Sequence, residues 1–485
     1  METVNSIYQL GRVYLKDEST ERSSFYVINE QNTGGASMPN VPRQNVLRFR
    51  IDDLNSYLLL SRSYLQLRVK VLQSDGVTNL LNGDAGYLAA LKNGLHSIFR
   101  RAILRINGQS INEYSDYHYY KQDLESLMAN AEWKKNMGSL LKYDDPNENL
   151  DFDPIAAANI NDVANTPNFL GIQQLSDTIN NVIGTLDKKP CYIKRVSRSA
   201  NSREVVANIP LHVLFSFLKA YDRVIRGVSV EMEFELATDT IMIDGSHAGK
   251  LAWVGQGATL FVNRVVPSMR VRNELNAMIS KGYSLNGFAF EDVLVYKSPT
   301  VTDGQGQQDW RIATTVSRPT KVYVAFVQQG REATSTLTSS AYDIAGLQSV
   351  QLFVNGQPVP DLRYELNFPP TVADLYNPAV DGLKDKRDRT RAYMDLLASV
   401  GQTTSSTTSD LMNSFMSYDN WIHNFPVICF DVSNNLPADT AFTGATELLL
   451  RYLHTEGPVQ AIAWVYHEKL ADIKFTSTES SIVIS

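Results

Sequence analysis

Along much of the chain, apolar and polar side chains alternate one for one. In 63–71, Leu65, Leu67, Val69 and Val71 alternate with Gln66, Arg68 and Lys70; in 228–236, Val228, Val230, Met232, Phe234 and Leu236 alternate with Ser229, Glu231, Glu233 and Glu235. Successive strand side chains point to opposite faces, so these runs predict strands with one buried and one wetted face. Half-solvated strands of this kind belong to antiparallel sheets. Residues 322–327 (VYVAFV) are continuously apolar and predict a strand covered on both faces. Helical spacing is rare. Residues 116–130 put Tyr117, Tyr120, Leu124, Leu127 and Met128 on one face, with Ser115 as the expected N-cap. Shorter helices are expected at 272–280 and 390–399. Polar stretches at 144–190, 300–309, 329–342 and 401–410 read as surface loops, with 403–409 (TTSSTTS) as a loop tip.

The chain has 485 residues, more than one hydrophobic core usually supports, so two domains are expected. A weak internal repeat points the same way. Leu104-Arg105-Ile106-Asn107-Gly108-Gln109 ends a strand run in a tight Asn-Gly turn, and Leu352-Phe353-Val354-Asn355-Gly356-Gln357 does so again, 355 − 107 = 248 residues later. Each turn is followed by a long insert with a helical stretch, and each half closes on strand-rich sequence (203–239 and 446–472). The expected organisation is all-β with helical inserts: an N-terminal arm (1–44), a first jelly roll (45–239), a glycine-rich linker (240–257), a second jelly roll (258–472) and a C-terminal tail (473–485).

Lys and Arg number 45 against 52 Asp and Glu, a formal charge of −7, so the chain is not expected to neutralise a nucleic acid over its whole surface. Two basic stretches stand out locally. One runs over 188–203 (Lys188, Lys189, Lys194, Arg195, Arg198, Arg203), the other over 384–391 (Lys384, Lys386, Arg387, Arg389, Arg391, interleaved with Asp385 and Asp388). Contact with a packaged genome or an inner membrane is the sharper reading; ion pairs between subunits or a solvated loop are the plainer one. Two cysteines, Cys191 and Cys429, are too few and too far apart for a disulfide framework. The first residues have neither the basic nor the apolar region of a signal peptide, no apolar run reaches membrane-spanning length, and no Asn-X-Ser/Thr acceptor occurs. A soluble protein of a reducing compartment is expected.

Catalytic and metal motifs are absent from the sequence. His467-Glu468-Lys469-Leu470-Ala471 begins like a zinc-protease helix but has no histidine at 471. The stretch 282–287 has one residue too many for a nucleophile elbow, and no glycine-rich loop ends in Gly-Lys-Ser/Thr. The acidic loop with Asp144, Asp145, Glu148, Asp151 and Asp153 has carboxylates for calcium but no central glycine, and reads as a solvated loop. No catalytic, cofactor or metal residues are expected, and no enzyme activity. His96, next to Ile98 and Phe99, is expected to pack or hydrogen-bond.

Several segments resemble the double jelly-roll major capsid proteins of Polinton/Maverick elements, adintoviruses and virophages. They are Tyr57 to Val69 (YLLLSRSYLQLRV), His96-Ser97-Ile98-Phe99 leading to Leu104–Gly108, the start Tyr117-His118-Tyr119-Tyr120, Ile209-Pro210-Leu211 before Phe215, and Val228 to Phe234. In the second half they are Arg318 to Phe326 (RPTKVYVAF) and Val354-Asn355-Gly356 with Pro360. The resemblance spans roughly 45–470 and implies a structural protein of a DNA-virus virion, made and assembled in the host cytoplasm or nucleus. It implies homotrimers of pseudo-hexagonal outline that contact one another in an icosahedral shell, with penton and minor capsid proteins as further partners. The 23 Tyr, 19 Phe and 5 Trp supply interface anchors for such a role. The alternative is a tandem β-sandwich carbohydrate- or protein-binding module of cellular origin.

Overall fold

The computed structural model describes residues 20–31, 45–53, 55–80, 89–145, 195, 198–245, 248–280, 284–302, 306–333, 342, 346–368, 387–401, 416–418, 421–422, 425–433, 445–455, 458–475 and 480–484. The strands of the first half are β1 (Thr20–Asn29), β2 (Val46–Ile51), β3 (Tyr57–Leu58), β4 (Tyr64–Gln73), β5 (Ala89–Leu91), β6 (Phe99–Ile106), β7 (Gln109–Tyr114), β8 (Val205–Pro210), β9 (Val230–Leu236), β10 (Ile243–Gly245) and β11 (Gly249–Pro267). Those of the second are β12 (Ser284–Lys297), β13 (Gln307–Ser317), β14 (Pro319–Gln328), β15 (Leu347–Val354), β16 (Gln357–Glu365), β17 (Ile428–Asp431), β18 (Ala445–His454), β19 (Val459–Phe475) and β20 (Ser480–Ile484).

Each half is a sandwich of two antiparallel sheets, and the two halves share one plan. The first pairs its strands in the orders β1-β11-β4-β8 and β2-β9-β6-β7; the second in the orders β12-β19-β14-β17 and β13-β18-β15-β16. The alternation read from the sequence sets the inward faces. Leu65, Leu67, Val69 and Val71 of β4 share a core with Leu47, Phe49 and Ile51 of β2 and with Val230, Met232, Phe234 and Leu236 of β9. In β14, Val322 to Val327 are all buried, as their unbroken apolar run requires.

The repeated turns occupy equivalent places. Asn107-Gly108 joins β6 to β7 and Asn355-Gly356 joins β15 to β16, with φ of 50° and 78° in the first and 49° and 80° in the second. Two successive left-handed residues match the twist of a two-residue hairpin, which is why Asn-Gly serves here. Each asparagine also clips the neighbouring strand: Ser229 N donates to Asn107 Oδ1 at 2.7 Å, and Glu447 N to Asn355 Oδ1 at 2.9 Å. Asn107→Ala and Asn355→Ala should each cost about 1–2 kcal/mol, from the lost hydrogen bond and a left-handed alanine. Urea midpoints of the two variants check this, and Asn→Gly at either turn should cost less.

The sequence-based boundaries shift in three places. Residues 20–29 of the expected arm form β1, which pairs with β11 from Thr20↔Pro267 to Asn29↔Thr259. The expected linker at 240–257 is strand over 249–257, running from Gly249↔Gln73 to Trp253↔Val69 along β4. Its glycines mark a bulge: Gly255 and Gly257 have φ of 61° and 69°, and the register shifts between Trp253 and Ala258. Residues 473–475 of the expected tail end β19, and 480–484 form β20 on that strand. The halves are joined instead by the helix Met269–Ser280.

The helix expected at 116–130 is His118–Met128, and its N-cap position is Tyr117, not Ser115. A second helix, Ala131–Leu141, follows directly, capped by Asn130 Oδ1 accepting from Trp133 N at 2.7 Å. The helix expected at 390–399 is Arg387–Ser399. Residues 146–190, the tip 403–409 and Cys191 lie outside the described residues.

Candidate functional site at the junction of the two sandwiches

The two halves meet through side chains that strand and helix periodicity place on one face. Along β12, Phe288, Phe290 and Asp292 are two residues apart and face the first half together. Phe217, in the short helix Ser216–Ala220, meets Phe290 and Phe288 edge-on at 5.5 and 6.2 Å, and Tyr221 meets Phe288 at 5.6 Å. Beside this apolar patch lies a buried polar knot around Asp292. Its Oδ1 accepts from Tyr114 Oη and from Ser216 Oγ, both at 2.7 Å, and its Oδ2 from Lys469 Nζ at 2.6 Å. Asn112 Nδ2 donates to Ser216 Oγ at 2.9 Å, while Phe217 N donates to Asn112 Oδ1 at 3.1 Å. Burial alone would raise the Asp292 carboxyl, but the Lys469 ammonium, His467 and the Ser216 hydroxyl together hold it below the ordinary value. Burial first, and the Asp292 charge second, push the Tyr114 hydroxyl far up, so it stays a donor.

The helix His118–Met128 forms the other half of the junction. Its register puts Tyr120 against the second sandwich, where Trp464 Nε1 donates to Tyr120 O at 3.0 Å and the rings meet edge-on at 6.4 Å. Tyr120 Oη and Lys297 Nζ both donate to Glu332 Oε1, at 2.9 and 2.8 Å. Behind the helix, Lys92 and Asp123 form a buried ion pair of 2.7 Å. A cleft of about 300 Å³ opens at the rim between Glu113–Lys121 and Val293–Lys297. Such an arrangement fixes the angle between two rigid bodies, because Asp292, Glu332 and Trp464 of the second half each hydrogen-bond to the first.

The singled-out residues fall as follows. Arg195 is buried, its Nη1 donating to Asp244 at 2.6 Å and to Leu91 O at 2.8 Å; Arg198 pairs with Asp144 at 2.5 Å. Arg203 is exposed, and Lys188, Lys189 and Lys194 lie outside the described residues. In the second stretch, Arg389 is buried and caps β16, donating to Leu366 O at 2.8 Å and Asn367 O at 2.6 Å; Arg391 donates to Leu362 O at 2.7 Å. Lys384, Asp385 and Lys386 and the Arg387 side chain lie outside the description. Asp145 pairs with buried Lys134 at 3.3 Å, so both described carboxylates of the acidic loop face protein cations; Glu148, Asp151 and Asp153 are not described. His467-Glu468-Lys469 lies in β19, a strand and not a helix. Among the described residues no three His, Cys, Asp or Glu side chains come close enough to share a metal ion, and no helix is long and apolar enough to cross a membrane.

His96 packs and hydrogen-bonds as expected, its Nε2 2.6 Å from Ser126 Oγ. Burial, then the Lys92 and Lys121 charges, lower it to about 3. Burial likewise lowers His118 and His467. A histidine whose folded value is depressed gives stability that is full above about pH 6.5 and lost as pH falls. Between pH 6.5 and about 3, His96 alone should remove about 1.4 kcal/mol per pH unit. Urea titrations from pH 7 to 4 should show this slope, and His96→Gln should flatten it by one proton.

Comparison with known proteins bears on the fold. No family model matches the chain, and no curated protein does. Solved structures match over nearly the whole length. The Sputnik virophage structure at 3.5 Å has a TM-score of 0.55 at 10% identity, covering 100% of this chain and 93% of that one. The PBCV-1 virus capsid has a TM-score of 0.51 at 10% identity, covering 98% and 99%. The chain has the double jelly-roll fold. In that fold the Asp292 knot and the Tyr120–Trp464 contact lie between the rolls, not in a pocket of either. Sequence reading singled out Tyr120 but missed Asp292, Ser216 and Asn112. The available signal was an aspartate two residues after Phe290 on a strand face that is otherwise apolar.

Proposed function

We propose that this chain is a major capsid protein whose copies form homotrimers of pseudo-hexagonal outline that tile an icosahedral viral shell. The observation that carries the reading is the repetition of one eight-strand plan within the chain, with the two rolls locked edge to edge by a buried junction. Three such chains supply six similar wedges, the outline a closed lattice needs. The likeness in fold to a virus capsid and a virophage supports the same reading, as do the segment resemblances. Function then resides in surfaces, without catalysis or a cofactor, and the protein belongs to the virion. Penton and minor capsid proteins are its further proposed partners. Arg195 and Arg198 are engaged inside the first roll, which leaves Arg203 and the lysines of 188–194 for any genome or membrane contact.

Light scattering on the purified chain, with negative-stain microscopy under assembly conditions, tests this. The expected particle has three times the 54.3 kDa chain mass and closes into shells. A monodisperse monomer that persists at high concentration would overturn the proposal.

A further inference from the structure

An asparagine followed by glycine can be attacked by its own main chain, because glycine carries no Cβ to crowd its nitrogen. That nitrogen bonds to the asparagine Cγ, ammonia leaves, and water opens the five-membered imide to aspartate or isoaspartate. Five Asn-Gly pairs occur in the chain, beginning at Asn82, Asn93, Asn107, Asn286 and Asn355. Asn82 lies outside the described residues, and three of the other four are held against the reaction. Buried Asn93 is clamped at both ends of its amide, Nδ2 donating to Asp144 O at 2.9 Å and Oδ1 accepting from Asp144 N at 2.8 Å. At the two hairpin turns the clips from Ser229 N and Glu447 N hold the amide oxygens of Asn107 and Asn355. The main-chain nitrogens of the same asparagines donate to Ser229 O and Glu447 O at 2.8 and 2.9 Å. Cγ can turn toward the glycine only after the side-chain bond has broken.

Asn286-Gly287 is built differently. Both residues are exposed, and among the described residues the Asn286 amide has no hydrogen-bond partner. The pair forms a bulge: β12 faces β19 at Leu285↔Ile473 and at Phe288↔Ala471, so two residues oppose Asp472 alone. Gly287 has a φ of 67°, with open space beside it. Its N–H donates to Asp472 Oδ1 at 2.7 Å. A general base must stand within hydrogen-bond reach of the proton it takes, and this carboxylate does.

We infer that Asn286 is a site of self-modification, in which Asp472 takes the Gly287 proton as that nitrogen closes on Asn286 Cγ. The bond from Cγ to the side-chain nitrogen breaks, Asp472 returns the proton, and the nitrogen leaves as ammonia. Water then opens the imide, and no oxidant, metal or further reactant takes part. The product sets a second carboxylate against Asp472, and its isoaspartyl form adds one main-chain atom to the bulge. Both changes fall at the start of the strand whose Phe288 meets Phe217 and Tyr221, so the modified chain loosens where the two rolls touch. The inference uses only atoms of this chain and stands apart from the capsid reading.

Peptide mapping by mass spectrometry tests it on the full-length chain aged at neutral pH, with isoaspartate measured at each Asn-Gly pair. Asn286 should convert at least about tenfold faster than Asn107 and Asn355, whose clips must open first. Asp472→Asn should slow conversion at Asn286 by about tenfold or more and leave the two turns unchanged. Hydroxide supplies the base at the turns, so their rates should climb steeply between pH 6 and pH 8, whereas the rate at Asn286 should climb less. This profile is read on the wild-type chain and carries the test by itself should Asp472→Asn not fold. Conversion at Asn286 no faster than at the turns, or a pH slope as steep as theirs, would overturn the inference. So would equal rates at Asn286 in wild type and folded Asp472→Asn.

Discussion

Replacing Asp292 by alanine should destabilise the chain by about 3–5 kcal/mol, the range for breaking a buried ion pair by removing one partner. The loss strands three donors at once, since Tyr114, Ser216 and Lys469 all point at this carboxylate. Lys469 keeps some solvent contact, at 24% exposure, which draws the value toward the lower end. Asp292→Asn should cost less, because the amide oxygen still accepts while the charge pairing with Lys469 is gone. The sign with pH follows from the depressed carboxyl: its contribution is complete above the ordinary aspartate value and is lost as pH falls below it, through the lower folded value. Equilibrium unfolding of wild type and both variants at pH 7 and at about pH 3 measures these effects. An Asp292→Ala variant as stable as wild type would remove the knot from the account of the junction.

Trp464→Ala should be comparably severe, at about 3–5 kcal/mol for a fully buried tryptophan. Its ring packs edge-on against Tyr120 from the first roll and Tyr342 from the second, at 6.4 and 5.7 Å. The cavity would open between the rolls and not inside one of them, so the two should uncouple before either melts. Calorimetry should then resolve two transitions where wild type shows one. Limited proteolysis in the Met269–Ser280 connection should also accelerate. Trp464→Phe, which keeps most of the packing but not the donor to Tyr120 O, should retain a single transition.

The parts of the fold that were legible in the sequence are those set by local rules. Alternation in 63–71 and 228–236 located β4 and β9, and the Asn-Gly pairs located two hairpins whose equivalence the strand orders bear out. What misled was residue type without partner. Glycines at 249–257 read as a linker because a bulge and a flexible joint use the same residue; only the pairing with β4 tells them apart. Residues 20–29 read as an arm because β1 finds its partner some 240 residues away, beyond any local pattern. Basic residues 195 and 198 suggested genome or membrane contact, ion pairs between subunits or a solvated loop, whereas their acids, Asp244 and Asp144, stand in the same chain, some 50 residues away. The junction was the least legible feature, since Tyr114, Ser216, Asp292 and Lys469 come from four separate elements and each alone is unremarkable.

The pairing of β1 with β11 also has a consequence for synthesis. Thr20 faces Pro267, so at about 5–20 residues per second β1 leaves the ribosome tens of seconds before its partner strand exists. Contacts of such long range make folding slow. During that wait the aromatic edge that carries Phe25 and Tyr26 stands unpaired on a nascent chain. Polysomes crowd many such chains together, each offering the same sticky strand. Chaperone binding to the first 270 residues is therefore expected to govern yield far more than the stability of the finished molecule, and slower translation late in the first half should lower soluble yield by prolonging the exposure.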